Sequence, residues 1–432
     1  MNAHAASAES VSSASGTTSL SARTTMTSVP SSSSASRYSP VAPRPFVQRN
    51  GRTYLSDALA GKSLPYPLPS DLTELHRQSL RTLLLIQLFG APVCSPSLIK
   101  KPPQRVLEVG CGSGFWSMMC HRYYKGRGHG SIAFTGIDIA PLCPGSAAAA
   151  AVKPDKDMSW RFIQHDIRAV PWPAPLEEGE FDLIMAKDVS LADAAVSFDH
   201  QNILTEYLRL LRPGGTLEIW ESDHLIRMLR PHGSATMPAA DTEEQEAALS
   251  LGAYVLYANT SLTAPLNDFL LEYNNWLTRA FEKRRLSPVP CALIGPALLQ
   301  ESDYLSEIRS RRLAVPLGEV RWEREGVAGD ASAGGAETRG KEAAGSRTEP
   351  RALSAGQSAI RATALLTVVQ QVQALEPVLR EVSGKSQDEW DVWMGKMMSD
   401  LMGDSGASWG ECLEVGAWWA KKKKRASKER GD

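Results

Sequence analysis

Short apolar runs alternate with stretches of helical periodicity along the middle of the chain. Five such runs have the length of a buried strand and begin near residues 105, 131, 160, 181 and 216. Strands that alternate with helices form right-handed crossover units, which build a parallel sheet with helices on both faces. We therefore predict an α/β fold with a doubly wound sheet, and we expect ligands at the C-terminal ends of its strands.

The first run, residues 105–116 (RVLEVGCGSGFW), joins an apolar strand to a three-glycine turn and a helix start. Gly110, Gly112 and Gly114 allow backbone angles and a close approach that a Cβ would block. Glu108 lies inside the strand, where a carboxylate is costly to bury without a hydrogen-bonding or cationic partner. We expect a ligand ammonium to be that partner, and a structural turn without a ligand is the alternative.

The spacing of the glycines discriminates between cofactors. A dinucleotide site uses G-x-G-x-x-G to face a helix N-terminus toward a pyrophosphate. Here the turn reads Gly110-Cys-Gly-Ser-Gly114, and Glu108 just upstream would repel a pyrophosphate. An NAD-dependent oxidoreductase is therefore disfavoured. Residues 108–114 resemble the first motif of the class I S-adenosylmethionine (SAM)-dependent methyltransferases, which implies SAM as the cofactor.

Acidic residues end the next two predicted strands. Asp138 follows the run at 131, and a carboxylate at such a strand tip can accept both ribose hydroxyls; its neighbour Ile139 is assigned to the same subsite. Asp166 follows the run at 160. In the family the equivalent acid touches the adenine amino group, and the backbone N–H of its neighbour, here Ile167, reaches the ring. For either acid alone, a helix N-cap or a solvated turn is the alternative.

The fourth and fifth strands follow in the same order. Residues 181–188 predict the fourth strand, which ends in Lys187 and Asp188. Residues 207–220 combine a leucine-rich helix, a Pro-Gly-Gly turn after Arg212 and a fifth strand. A leucine-rich helix followed by such a turn is a recurring sign of the same methyltransferase family.

Two later segments complete the predicted sheet. Residues 308–315 fit a sixth strand, and residues 411–419 fit a final antiparallel strand. The resemblance covers residues near 52 to 421, strongly over 104–220 and only in outline elsewhere. It implies a seven-stranded, mostly parallel, Rossmann-like sheet.

The segment before the sheet predicts an amphipathic helix over residues 72–88, where leucines fall at helical spacing. The entry to this helix, Tyr66-Pro-Leu-Pro-Ser-Asp71, resembles the N-terminal segment of a fungal methyltransferase group that includes regulators of secondary metabolism. In that group the segment lies over the SAM pocket. Tyr54 or Tyr66 is thus expected to close the site, with ordinary packing as the alternative.

Helices are also predicted after the fifth strand. Apolar positions at mixed spacings of three and four predict helix over residues 241–284. The resemblance implies that an insertion over 241–300 forms the substrate wall. Residues 362–382 and 387–402 predict two more helices.

Composition divides the rest of the 432-residue chain. Residues 1–45 are rich in Ser, Ala and Thr and contain too few large apolar groups to offset the entropy of ordering. We predict a disordered arm there and a low-complexity surface insertion over 325–358. The methyltransferase core then comprises residues 46–324, and residues 359–420 complete the same domain before a basic tail, 421–432.

Charge and cysteine content limit the classes of function. The net charge of −1 argues against binding to nucleic acid through phosphate neutralisation. No run of eighteen apolar residues predicts a membrane span. The six cysteines show no Cys-x-x-Cys pairing, which favours a reduced compartment and no metal site. The basic run from Lys421 to Arg425 fits a nuclear import signal, an arm for an acidic partner or a solvated tail, so we expect a cytoplasmic or nuclear protein. The serine-rich arm also overlaps the composition of a transit peptide.

The chemistry follows from the expected cofactor. A sulfonium methyl is already activated, so transfer depends mainly on in-line positioning of the acceptor. An acceptor hydroxyl or carbon acid needs a general base, whereas a carboxylate does not. His224 and Asp188 are the candidate catalytic residues, and Lys187 is assigned to the cofactor site. His224 as a hydrogen-bonded structural histidine is the alternative.

The fourth strand ends Lys-Asp-Val-Ser, unlike the Asn-Pro-Pro-Tyr type used by enzymes that methylate adenine or glutamine. The acceptor, a small molecule or a protein, is therefore unidentified. A SAM-binding regulatory or scaffold protein without catalytic activity is the second functional hypothesis.

Overall fold

The computed structural model describes residues 45–56, 66–142, 153–192, 200–230, 239–257, 260–325, 352–403 and 406–424. These residues all belong to one compact unit. The predicted N-terminal arm, most of the predicted insertion at 325–358 and the tail beyond Lys424 lie outside the described ranges. No helix of the described ranges is long and apolar enough to cross a membrane.

The elements of the first half of the chain, in order, are β1 (Phe46–Arg49), β2 (Arg52–Leu55), α1 (Leu72–Phe89), α2 (Pro96–Lys100), β3 (Arg105–Val109), α3 (Phe115–Lys125), β4 (Ala133–Asp138), β5 (Ser159–Gln164), β6 (Phe181–Lys187), α4 (His200–Leu210), β7 (Leu211–Ser222) and β8 (Arg227–Leu229). The second half contains α5 (Ala239–Ser250), β9 (Tyr254–Val255), β10 (Leu262–Thr263), α6 (Asp268–Arg284), a 3₁₀ turn (Pro290–Ala292), α7 (Ile294–Gln300), β11 (Leu305–Pro316), α8 (Arg321–Glu325), α9 (Ala355–Ala374), α10 (Glu376–Ser383), α11 (Gln387–Leu401) and β12 (Glu411–Lys422).

Within the described ranges, seven long strands form the body of the sheet. Parallel strands lie in the order β5-β4-β3-β6-β7, and β12 and β11 extend the sheet in antiparallel pairing. The short strands β8, β9 and β10 add to the antiparallel end. The predicted α/β fold is confirmed. The strand order reverses at β3, and ligands of such sheets bind where the order reverses.

The central strands are apolar because both of their faces are covered by helices. Along β3, Val106 packs into one apolar cluster and Leu107 into another; along β6, Leu183 and Ile184 alternate in the same way. Side chains that alternate between two buried faces produce the continuous apolar runs seen in the sequence.

The predicted helix before the sheet is confirmed as α1. Asp71 caps its start, with the carboxylate accepting a hydrogen bond from the Glu74 N–H at 3.0 Å. Gly90 ends the helix in the left-handed conformation, with φ of 83°. These two caps fix where the helix meets the sheet edge.

The prediction of one helix over residues 241–284 was wrong. Helix α5 stops at Ser250, and Gly252 then takes a left-handed φ of 77°. Tyr254 and Val255 then form β9, in which Val255 pairs with Leu313 of β11. The chain returns to helix only at Asn267, the cap of α6. Apolar residues between the helices therefore contact the sheet edge, and this tertiary pairing overrides their helical spacing.

The helix predicted over 362–382 is two helices. Helix α9 begins at Ala355 with a capping box formed by Ser354 and Gln357, so it starts within the segment assigned to the insertion. Helix α9 ends at Ala374, and Pro377 lies in the first turn of α10. Proline cannot continue the hydrogen bonds of a preceding helix, which explains the break. Helix α11 agrees with the prediction for residues 387–402.

Candidate functional site

A cleft that is open to solvent lies at the C-terminal ends of β3, β4, β5 and β6, with about 1350 Å³ of empty space when the solvent at its mouth is included. The structure brings nearly all the predicted site residues to this cleft. Its lining includes Glu108, Gly110, Gly112, Asp138, Ile139, Asp166, Ile167, Lys187, Asp188 and His224. Gly114 is not in the lining, because it caps the start of α3.

The glycine turn after β3 has the backbone conformation that its composition predicted. Gly110, Gly112 and Gly114 all have positive φ, at 64°, 51° and 73°. A Cβ on Gly110 would lie 3.0 Å from Cγ1 of Val189 across the cleft floor. The turn thus requires glycine both for its conformation and for its close approach to the loop after β6.

Glu108 is buried at the floor of the cleft and has an internal partner. The Ser117 hydroxyl donates to its Oε2 at 2.6 Å, and the Ser117 N–H donates to the same oxygen at 3.2 Å. Burial raises the pKa of Glu108 to about 7, although Ser117 and the charge of Lys187 oppose that shift. The expectation that Glu108 needs an outside partner therefore missed Ser117. The carboxyl group changes its charge near neutral pH.

Asp138, at the end of β4, is tied to the glycine turn. Its Oδ2 accepts the Gly112 N–H at 2.8 Å and its Oδ1 accepts the Ala140 N–H at 2.8 Å. Burial raises its pKa, and these backbone donors act against the rise. The two hydrogen bonds fix the plane of the carboxylate at the cleft wall.

Asp166 and Arg168 form an ion pair that the sequence did not suggest. Nη2 of Arg168 lies 2.7 Å from Oδ2 of Asp166, and Nε lies 2.9 Å from Oδ1. Burial acts to raise the pKa of Asp166, but the hydrogen bonds and charge of Arg168 outweigh it, so the pKa is lowered. The ion pair lies on the same wall of the cleft as Ile167.

Asp188 is held between two cations. Nε of Arg81 donates to Oδ1 at 3.0 Å, and Nζ of Lys187 donates to Oδ2 at 2.8 Å. Burial would raise the pKa of Asp188, but Arg81 and Lys187 together hold it well below its usual range. A permanently ionised carboxylate of this kind is a weak base, so the predicted catalytic role of Asp188 receives no support from its electrostatics.

His224 is buried within a hydrogen-bonded chain. Its Nε2 lies 3.1 Å from the Ser190 hydroxyl, which in turn donates to Oε2 of Glu221 at 3.0 Å. Nε2 must then carry the ring proton, and Nδ1 accepts from the Gln371 amide at 3.3 Å. Burial, and after it the charge of Arg81, lowers the pKa of His224 to about 3. The ring is neutral at physiological pH, as a structural histidine would be, and a role as general base stays a prediction.

The N-terminal segment covers the cleft. Tyr66 lines it together with Leu68 and the α1 residues Arg77, Gln78 and Arg81, whereas Tyr54 does not. Of the two tyrosines proposed to close the site, only Tyr66 is therefore positioned to do so. The two arginines are one helical turn apart, a signal that the sequence contained.

Gln371 reaches the cleft from α9, far along the chain. No local pattern marked it, because polar residues such as Arg361 and Thr367 are also buried along that helix among its apolar ones. The described residues contain no cluster of side chains that could hold a metal ion.

Comparison with known proteins agrees with this geometry. A family model described as a methyltransferase domain matches residues 106–215, which contain β3 through the start of β7 and all the strand-end acids of the cleft. The secondary metabolism regulator laeA of Aspergillus niger is 31% identical over 183 residues, which are 41% of this chain and 41% of that protein. The sterol 24-C-methyltransferase ERG6B of Gibberella zeae is 26% identical over 121 residues, 28% of each protein. The matched region therefore spans less than half of either relative.

Solved structures are similar only at low scores. Phosphoethanolamine N-methyltransferase 2 of Haemonchus contortus, bound to phosphomonomethylethanolamine and S-adenosylhomocysteine, is 13% identical, covers 80% of this chain and 58% of its own, and has a TM-score of 0.29. The plantazolicin methyltransferase BpumL, bound to S-adenosylhomocysteine, is 12% identical, with 82% and 88% covered and a TM-score of 0.32. Scores of this size carry no argument about this chain. The family model and the fungal relatives instead confirm the resemblance found in the sequence: residues 106–215 are similar to a methyltransferase domain.

Proposed function

We propose that this protein binds SAM in the cleft and transfers its methyl group to an acceptor. The observation that carries the proposal is the convergence of Glu108, the glycine turn and Asp138 on one cleft where the strand order reverses. These groups come from β3, the following loop and β4, and only the parallel fold brings them together.

The residues present fit the cofactor. The Glu108 carboxylate lies at the cleft, where it would bind the ammonium group of SAM. The fixed carboxylate of Asp138 would accept the ribose hydroxyls, and Asp166 with Ile167 would border the adenine. When bound, SAM supplies a methyl group on a sulfonium, which needs no further activation.

The contribution of the protein is mainly to position the reactants and exclude water. Tyr66 and Leu68 line the cleft, and both belong to the N-terminal segment. Neither Asp188 nor His224 has a pKa suited to accept a proton near pH 7. The mechanism that fits best uses an acceptor that is already a nucleophile at neutral pH, oriented in line with the methyl group.

A regulatory SAM-binding protein is the second candidate. That hypothesis predicts a cofactor pocket without room for an acceptor. The cleft extends past the predicted cofactor residues to His224 and Gln371, which supports the transferase. The acceptor and action in the cytoplasm or nucleus remain proposals, and Arg425 of the predicted import signal lies outside the described residues.

Release of S-adenosylhomocysteine (SAH) tests the activity. The purified chain is incubated with SAM and fractionated small-molecule extract, and SAH is measured by mass spectrometry. We expect a fraction that raises SAH formation with wild type and not with Asp138→Asn. A chain that binds SAM but forms no SAH, either with any small-molecule fraction or with a protein fraction, would favour the regulatory hypothesis.

A further inference from the structure

Arg77 is a buried cation at the cleft, and one nitrogen of its guanidinium group lacks a hydrogen-bond acceptor among the described residues. Its Nε donates to Oε2 of Glu74 at 2.8 Å, and its Nη2 donates to Oε1 at 2.6 Å. The residue is only 4% exposed. Its Nη1 is buried and has no hydrogen-bond partner among the described residues.

In a second buried arginine of this fold, every guanidinium nitrogen has a hydrogen-bond acceptor. Arg361, 2% exposed, is paired with Glu323 through Nη1 and Nη2, both at 2.7 Å. Its Nε also donates to the Gly252 carbonyl at 2.8 Å, and Nη1 donates to the Gly318 carbonyl at 3.0 Å. Arg361 does not line the cleft. Buried guanidinium N–H groups are costly to leave unpaired, and Arg77 lines the cleft, so a ligand bound there is positioned to supply the acceptor.

The position of Arg77 on α1 indicates which part of the cleft a ligand group bound by Arg77 would occupy. Gln78 approaches the glycine turn, since its Oε1 lies 3.5 Å from where a Cβ of Gly112 would be. Arg77 and Arg81, one turn apart, share a neighbouring face of the helix. Both arginines line the cleft together with His224 and Gln371, which are in hydrogen-bond contact with each other.

This side of the cleft, bounded by Arg77, Arg81, His224 and Gln371, is here termed the arginine corner. Arg77 is paired with Glu74, and Arg81 and Lys187 share Asp188. The planar N–H donors of a guanidinium group match a carboxylate, which has two acceptor oxygens.

We propose that the arginine corner binds a carboxylate group of a small-molecule ligand, with Nη1 of Arg77 as a donor. The proposal rests on the proposed function. Two sources have this chemistry: the amino-acid end of SAM, and a methyl acceptor that carries a carboxylate. A carboxylate acceptor would need no general base, in agreement with the neutral His224 and the permanently ionised Asp188.

The first arm of the test compares SAH with 5′-deoxy-5′-methylthioadenosine, which lacks the amino-acid part. Both are titrated calorimetrically into the full chain and into the Glu74→Gln/Arg77→Met double variant, which removes the buried ion pair as a unit. If the carboxylate belongs to the cofactor, SAH affinity falls at least tenfold while methylthioadenosine affinity changes less than twofold.

The second arm tests an acceptor carboxylate. Sodium acetate, against sodium chloride at equal ionic strength, is added to the free chain and to its SAH complex, and the imidazole NMR signals of His224 are followed. If the acceptor supplies the carboxylate, acetate shifts these signals in the wild-type SAH complex and not in the double variant, whose affinity for SAH is unchanged.

The matched control is Glu323→Gln/Arg361→Met, which removes a buried pair of the same type away from the cleft. Circular dichroism checks that each variant is folded, and Arg77→Lys replaces the double variant if that fails to fold. The proposal is overturned if the Glu74→Gln/Arg77→Met variant equals the control variant in its affinity for SAH, its affinity for methylthioadenosine and its response to acetate. A wild-type chain that binds neither nucleoside would instead contradict the proposed function, and acetate titration of the free chain would still test the arginine corner.

Discussion

The N–H of Gly112 donates to Oδ2 of Asp138 at 2.8 Å, so the glycine turn after β3 is tied to the acid that ends β4. Two signals that are 26 residues apart in the sequence are thus one structural unit. Any loss of the Asp138 charge is expected to affect the turn and the ligand together.

Replacement of Asp138 by Asn should weaken SAH and methylthioadenosine to the same degree, because both contain the ribose. The loss of charged hydrogen bonds of about 1.5–3 kcal/mol corresponds to roughly ten- to a hundredfold in the dissociation constant. Calorimetric titration measures it. Asp182→Asn is the matched control, since Asp182 accepts the N–H groups of Gln104 and Arg105 at the opposite end of the strands. Equal losses in both variants would mean that the effect is a general loss of stability.

Binding of SAH should strengthen as the pH rises through about 7. The pKa of Glu108 is raised to about 7, and its ionised form would bind the ligand ammonium. Below pH 7 the affinity should change by up to about tenfold per pH unit, and it should level off above. Titrations between pH 5.5 and 8.5 test this, with Glu108→Gln expected to bind weakly and without the slope.

The control for that pH dependence is Glu218→Gln. Glu218 is also buried with its pKa raised to about 7, but it bonds Cys94 and Trp220 and does not line the cleft. Its replacement should keep the slope. In the free protein, the raised pKa of Glu108 favours the folded state below its unfolded pKa of 4.5, and that contribution is lost as the pH rises through 7. If the pH dependence of SAH affinity persists in the Glu108→Gln variant, it belongs to the titration of another group.

Substitution of Gly110 by Ala should abolish SAH binding and destabilise the fold. Its left-handed φ alone costs roughly 1–2 kcal/mol with a side chain, and the new Cβ would press on Val189. Gly128→Ala is the control, because Gly128 also has a positive φ, 87°, but nothing lies within 4 Å of its Cβ position. Thermal unfolding should show the cost of the left-handed φ in both variants and a further loss of stability in the Gly110 variant from the contact with Val189. Normal SAH binding by the Gly110 variant would argue against a tight turn beneath the ligand.

His224 should remain neutral from pH 8 down to about pH 4, with the proton on Nε2. Its pKa is lowered to about 3, mainly by burial. Because the unfolded ring has a pKa of 6.5, the folded state is favoured above pH 6.5 and loses that contribution as the pH falls toward 3. Nitrogen-resolved NMR of the imidazole reports both the tautomer and the charge. A His224 titration near pH 6.5 would revive its candidacy as a general base.

The strands and the acids at their ends were predictable because the information is local. A central parallel strand such as β3 is apolar throughout, and the residue at its C-terminal end is necessarily at the ligand-binding edge. The break between α5 and α6 was not predictable, because Val255 forms a strand only through its pairing with Leu313, which is distant in the sequence. Contacts such as Gln371 to His224 join residues 147 apart, and no pattern in either segment marks the other.

The central claim is that Glu108 and Asp138 bind the cofactor, and calorimetric titration of the purified full chain with SAM and SAH tests it most directly. Wild type is compared at pH 8 with folded Glu108→Ala and Asp138→Ala variants. The account predicts saturable one-to-one binding by wild type that is lost in both variants. A folded wild-type chain that binds neither compound, or variants that bind as tightly as wild type, would contradict it.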